Sequence, residues 1–160
     1  MKRLILVMLT LVAFGALPAM AADTYSKPGT LTAQAGLGLY WGLFGGFDLQ
    51  GGVDYGITQF DFAPVFPLDV GASGRVGFGS WGGLAGGVYG TAHYSWKSLG
   101  TSFDWLNRLE SYIGIGVEVL PSLGLSSYSG SAYHFDNHLA AFLEYDAIGG
   151  GTVLGASYKF

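Results

Sequence analysis

Apolar and polar residues alternate along almost the whole chain after residue 30, with a period of two. That period belongs to β-strands, whose successive side chains point to opposite faces. In "LTAQAGLGLY" (31–40), Leu31, Ala33, Ala35, Leu37 and Leu39 share one face, and Thr32, Gln34, Gly36 and Gly38 share the other. "FDLQGGVDYGI" (47–57) sets Phe47, Leu49, Val53, Tyr55 and Ile57 against Asp48, Gln50 and Asp54. "LDVGASGRVGF" (68–78) sets Val70, Ala72, Val76 and Phe78 against Asp69, Ser73 and Arg75. The same alternation runs through 84–97, 108–119, 138–146 and 152–160. A further strand is expected from Leu123 to about Tyr133, where serine blurs the pattern. Turn signals separate the strands: "GG" at 45–46, "SWGG" at 80–83, "LPSLG" at 120–124 and "IGGG" at 148–151. Longer connectors are expected at "TQFDFAPVFP", "KSLGTSFDWLN" and a Ser-rich piece near 126–137.

Composition decides what such strands can build. Charged residues make up 11% of the chain, against about 25% in ordinary soluble domains. Glycine accounts for 28 of 160 residues and aromatics for 16%. So few charges leave a water-facing exterior poorly covered, and so many aromatics argue against disorder. The outer surface is therefore expected to face lipid. No segment beyond the N-terminus offers the ~18 unbroken apolar residues of a membrane helix. A closed barrel is the other structure that satisfies every backbone polar group in lipid. Strands of ~10 residues suit a tilted crossing, and eight is the smallest usual strand number. The expected fold is thus all-β, an eight-stranded antiparallel up-and-down transmembrane barrel.

The N-terminus reads as a secretory signal. Lys2 and Arg3 precede "LILVMLTLVAFGALPAM", and "AMA" at 19–21 has the small-x-small form of a cleavage site. Residues 1–22 are expected to be removed, leaving 23–160 as the barrel. Five basic residues then face eleven acidic ones, a balance of −6. An acidic chain with no basic patch argues against nucleic acid as a partner. Cysteine is absent, so disulfides and thiolate metal sites are excluded too.

Alternation alone leaves open which face is outside. A soluble barrel of the lipocalin sort would turn its apolar face inward. Here the polar face holds charges of both signs: Asp48, Asp54, Asp69, Arg75, Lys97, Arg108, Glu110, Glu118, Glu144, Asp146 and Lys159. Buried charge must be paired, and an eight-stranded interior is just wide enough for side chains to fill it. These residues are expected to form a lumen charge network that plugs the barrel, with a narrow pore as the alternative. Trp41, Phe44, Phe47, Tyr55, Trp81, Trp96, Trp105, Tyr112, Tyr145 and Tyr158 are expected to form girdles at the lipid–water interface.

Catalytic and metal signals are weak. His134 and His138 in "HFDNH" would lie ~13 Å apart on a strand, too far for one metal ion. Ser126 to Ser131, His134 and Glu144 are the only candidates for acyl chemistry, and no motif brings them together. "GFGSWGG" and "GLAGGVYG" have no Lys-Ser/Thr partner and open no helix, so they cradle no phosphate. No cofactor, metal ion or enzymatic activity is expected.

The chain ends in "SYKF", with Tyr158 two places before Phe160. With the signal peptide and the ten-residue alternating strands, this ending resembles the small bacterial outer-membrane β-barrels, the OmpA/OmpX/OmpW-like group. The resemblance implies outer-membrane localisation among outer-membrane lipid. It also implies recognition of Tyr158 and Phe160 by the barrel-assembly machinery, and a structural role or surface contact with a partner through loops. In that group both termini face the periplasm, so the long loops follow strands 1, 3, 5 and 7. The segmentation above puts the short connectors there instead. Either a strand is misplaced near 41–66 or 121–137, or this barrel has short outer loops.

Overall fold

The computed structural model describes residues 24–40, 46–62, 66–80, 83–146 and 151–160. The expected signal segment 1–22 lies outside the described residues, as do Trp41, Phe44 and Trp81. Eight strands follow one another: β1 (Leu31–Tyr40), β2 (Gly46–Asp61), β3 (Pro67–Gly79), β4 (Leu84–Ser95), β5 (Leu109–Leu120), β6 (Gly124–His134), β7 (Leu139–Asp146) and β8 (Gly151–Lys159). Each pairs antiparallel with its neighbours in sequence order, and β8 returns to β1 to close the barrel. Closure runs over eight residue pairs, Thr32↔Lys159 to Leu39↔Thr152. The Phe160 N–H donates to the Leu31 carbonyl at 2.9 Å beyond them. The last strand is therefore held along its length, and no sheet edge is left open.

The period-two pattern becomes an inside and an outside. Leu49, Ile115, Leu143 and Leu154 on four different strands are each more than half exposed. Asp54, Arg75, Glu110 and Glu144, on the opposite face, are buried. A barrel that hid its aliphatic side chains from water would show the reverse. The core is the lumen itself, where Tyr89, Tyr112, Tyr128, Ala132, Ala140, Phe142 and Val153 form the buried apolar cluster.

Lumen glycines make room for lumen rings. A Cβ on Gly114 of β5 would lie 2.3 Å from Cε1 of Tyr128 on β6. A Cβ on Gly130 of β6 would lie 2.7 Å from Tyr112 on β5. The two tyrosines thus each cover the other strand's glycine, with ring centroids 6.2 Å apart and planes at 68°. Tyr89 joins edge-to-face against Tyr128 at 5.0 Å. Such edge contacts are favoured by the ring quadrupole.

Three boundaries differ from the sequence expectation. β2 runs on to Asp61, through the first four residues of a segment expected to be a loop. Its register shifts between Gly56 and Thr58, where the N-terminal segment crosses so closely that a Cβ on Gly56 would lie 2.4 Å from the Lys27 carbonyl oxygen. β4 stops at Ser95, because Trp96–Leu99 turns as a 3-10 helix ending at Gly100, whose φ of 58° suits glycine. β6 takes in the serines at 126–131, so that segment is strand and not connector. A one-turn helix, α1 (Asp104–Asn107), completes the β4–β5 connection.

The two ends of the barrel are unlike. One carries both described termini and the connectors at 62–66, 96–108 and 135–138. At the other, the connectors span only positions 41–45, 80–83, 121–123 and 147–150. The connectors after β1, β3, β5 and β7 are short, but those after β2 and β6 are equally short, and only the β4–β5 connection is long. Among the described residues, β2 and β6 occupy 46–61 and 124–134.

Candidate functional site: the lumen and its mouth

Arg75 on β3 occupies the middle of the lumen. Its Nη2 lies 3.4 Å from Asp54 Oδ2 on β2 and 3.4 Å from Glu144 Oε2 on β7. Its Nε donates to Ser73 Oγ at 2.9 Å, and its guanidinium lies 4.3 Å from the Tyr128 ring centroid. One cation thus links two carboxylates from strands on opposite sides of the barrel and caps an aromatic ring. β3 places Arg75 opposite Gly52, where a Cβ would lie 2.6 Å from Arg75 Cδ, so that glycine leaves its path clear.

A second layer lies toward the termini and centres on Glu110 of β5. His93 Nδ1 lies 2.9 Å from Glu110 Oε1, and His134 Nε2 lies 2.7 Å from Oε2. Ser26 Oγ donates to Oε1 as well. An ionised carboxylate accepts all three, so each ring presents an N–H toward it. Ser26 belongs to residues 24–30, which cross this mouth ahead of β1. Tyr25 stacks on His134 with centroids 3.6 Å apart and planes at 2°. Its hydroxyl donates to the Asn107 carbonyl at 3.1 Å. Thr24 is buried, and Gln59 Nε2 donates to its hydroxyl at 3.2 Å and to Asp69 Oδ1 at 3.0 Å. The N-terminal segment therefore stoppers this end, tied to β2, β5, β6 and the β4–β5 connector. A space of about 40 Å3 remains beneath it, lined among others by Ser26, His93, Glu110 and Ala132, enough for a water or two.

Of the residues expected in the charge network, Asp54, Arg75, Glu110 and Glu144 meet in these two layers. Asp48 is buried nearer the short-connector end, where Gln50 Nε2 donates to it at 2.8 Å. Glu118 is half-buried on β5 toward that same end. Lys159 is half-buried at the mouth and donates to the Tyr25 carbonyl at 3.4 Å. Lys97 and Arg108 stand outside the lumen. Lys97 follows the end of β4 and is exposed, and Arg108 precedes β5 and donates to the Phe135 carbonyl at 2.6 Å. Tyr112, expected in a girdle, is buried in the lumen instead, sharing the parity of Glu110 and Glu118. Asp69, expected on the polar face, is buried in the interior as well. His93, His134 and the Tyr25–Ser26 pair complete it without having been grouped with it from sequence, although parity signalled His93. The stopper had no sequence signal. Tyr158 and Phe160 lie exposed, ring against ring at 5.1 Å, at the seam where β8 meets β1.

Among the described residues, no group of three or more His, Cys, Asp or Glu could hold a metal ion. Ser26 donates to a carboxylate and not to an imidazole, so it lacks the base contact of an activated nucleophile. Glu144, one of the acyl-chemistry candidates, faces Arg75, while His134 faces Glu110.

No protein-family model matches the sequence, and no curated protein is similar to it by sequence. Among solved structures, the chain is similar to a designed transmembrane β-barrel, with 24% identity over 84% of this chain and 98% of that one, at a TM-score of 0.56. The fold is that of an eight-stranded antiparallel transmembrane β-barrel, with its ionic groups inside and its aliphatic groups outside. Among the described residues, no helix is long and apolar enough to cross a membrane.

Proposed function

We propose that this protein is a small barrel of a bacterial outer membrane, with a structural or interaction role and a lumen that does not conduct. The observation that carries this reading is the Arg75 bridge to Asp54 and Glu144, closed above by the Glu110 layer and the N-terminal stopper. An interior filled in that way favours a lumen that does not conduct. The short, uncharged connectors at one end leave little loop for gripping a surface partner. A contact with a partner would then fall at the end with the termini, which carries the one long connection, 96–108. The exposed Tyr158 and Phe160 at the closing seam are where the barrel-assembly machinery would engage the chain. No catalytic role is proposed.

Two measurements test the reading. Unboiled protein extracted from membranes should migrate differently on a denaturing gel from its boiled form. In planar bilayers the folded protein should give a flat current trace. Discrete conductance steps would replace the plugged barrel by the narrow-pore alternative. Release of the protein from membranes by alkaline washing would end the membrane assignment.

A further inference from the structure

Every lysine and arginine among the described residues except Arg75 lies at the end with the termini: Lys27, Lys97, Arg108 and Lys159. The connectors of the opposite end contain no basic residue at 41–45, 80–83, 121–123 or 147–150. In a chain of formal charge −4 this gathers the cations against the overall balance. Two clefts flank Tyr25 at the basic end. One, of about 410 Å3, mixes Lys97 and Arg108 with Asp104 and Asp136. The other, of about 320 Å3, is walled by Lys27, Lys97, His138 and Lys159, and no aspartate or glutamate lines it.

We propose that this second cleft binds the phosphate of an anionic phospholipid headgroup. Lys97 Nζ and Lys159 Nζ lie 5.9 and 5.8 Å from the centroid of the same Tyr25 ring, so both ammonium groups reach one pocket. Compact ammonium charges of this kind suit a phosphate. Lys27 adds a third from the N-terminal stopper. A lipid fits better than a free anion because Phe160 also lines the cleft and is largely exposed, with Tyr158 beside it on the outer face. A headgroup held by the lysines would run its acyl chains down over those rings, at the depth where aromatic belts sit. The inference rests on the membrane reading proposed above, since only an inserted barrel presents this rim to lipid.

Native mass spectrometry of the whole folded barrel in a nonionic detergent tests it, with phosphatidylglycerol, phosphatidylcholine or sodium phosphate added at equal concentration. Phosphatidylglycerol should be retained in preference to phosphatidylcholine, which carries the same phosphodiester but no net charge, and sodium phosphate should not displace it. The K27Q/K97Q variant should retain phosphatidylglycerol about thirtyfold less well, as expected for two cations near a lipid surface. Its heat-shifted gel mobility should stay like that of the parent, which separates lost binding from lost folding. Equal retention of phosphatidylcholine, displacement by sodium phosphate, or full binding by the variant would each overturn the proposal while leaving an inserted barrel intact. A parent protein with no gel shift and no membrane retention would overturn both readings together.

Discussion

Gly114 and Arg75 show how single residues hold this interior. Gly114 has no side chain because Tyr128 already occupies that volume. Gly114→Ala should therefore cost ~1–3 kcal/mol, the usual range for overpacking a core, read as a lower urea midpoint of the folded barrel in lipid. Tyr128→Ala in the same chain should remove most of that cost, since the two changes share one contact and are not additive. Arg75 poses the opposite problem. Arg75→Met keeps the volume but strands Asp54 and Glu144 in a dry interior. Breaking a buried ion pair by removing one partner costs about 3–5 kcal/mol, so this variant should fold at low yield or unfold at much lower urea. An Arg75→Met barrel as stable as the parent would show that the two carboxylates are solvated and the lumen is open.

At the scale of elements, the N-terminal segment and the β6–β7 turn carry the sharpest expectations. The segment holds the mouth through the Tyr25–His134 stack and the contacts at Glu110. The chain has no cysteine, so one placed at the buried, lumen-facing Ala132 reports on access alone. With Tyr25→Ala, that thiol should react with a water-soluble maleimide about two- to tenfold faster, matching the ~0.5–1.5 kcal/mol of an aromatic pair. An unchanged rate would mean the segment is not the stopper. In the turn at 135–138, Asp136 accepts the N–H groups of His138 and Leu139 at 2.7 and 2.8 Å. Those bonds favour the ionised carboxylate and hold it below its ordinary range. Its contribution to stability is present above its unfolded value, near 3.8, and is lost only as pH falls further through the depressed one. Asp136→Asn should thus lower the urea midpoint slightly at neutral pH, and the difference should shrink as pH falls below about 3.8. These elements also mark how far the sequence could be read. Alternation gave all eight strands and the face of nearly every residue in them, because that signal is local. It misled at Lys97, where the pattern ran on past a strand that ends at Ser95. It was overlooked at Tyr112, whose ring suggested a girdle while its parity with Glu110 pointed inward. The Tyr128–Gly114 fit and the His134–Glu110 contact needed the β5–β6 register. The stopper needed residues 24–30 to fold back across a mouth built by strands far along the chain, and no local pattern encodes that.

For the molecule as a whole, everything turns on what wets the aliphatic face. Val88 on β4 is 59% exposed and sits beside Gly87, the partner of Arg75 on β3, so it faces outward at the level of the central ion pairs. If lipid surrounds the barrel, Val88 lies close to the bilayer midplane, and Val88→Arg should destabilise the inserted protein by ~2–4 kcal/mol. If water surrounded it, the same change would cost almost nothing, because an exposed surface position tolerates substitution within about 0.5 kcal/mol. Reversible unfolding from lipid vesicles separates the two cases directly. Asp104→Lys on α1 serves as the control, because it also changes a charge but is exposed and lies outside the membrane core and the lysine-lined cleft. A large effect at Val88 with a small one at Asp104 requires a low-dielectric layer around the middle of the barrel and water at its end. Equal, small effects at both would leave a soluble cylinder with its ionic core inside, a structure with no physical reason to expose so many leucines, isoleucines and valines.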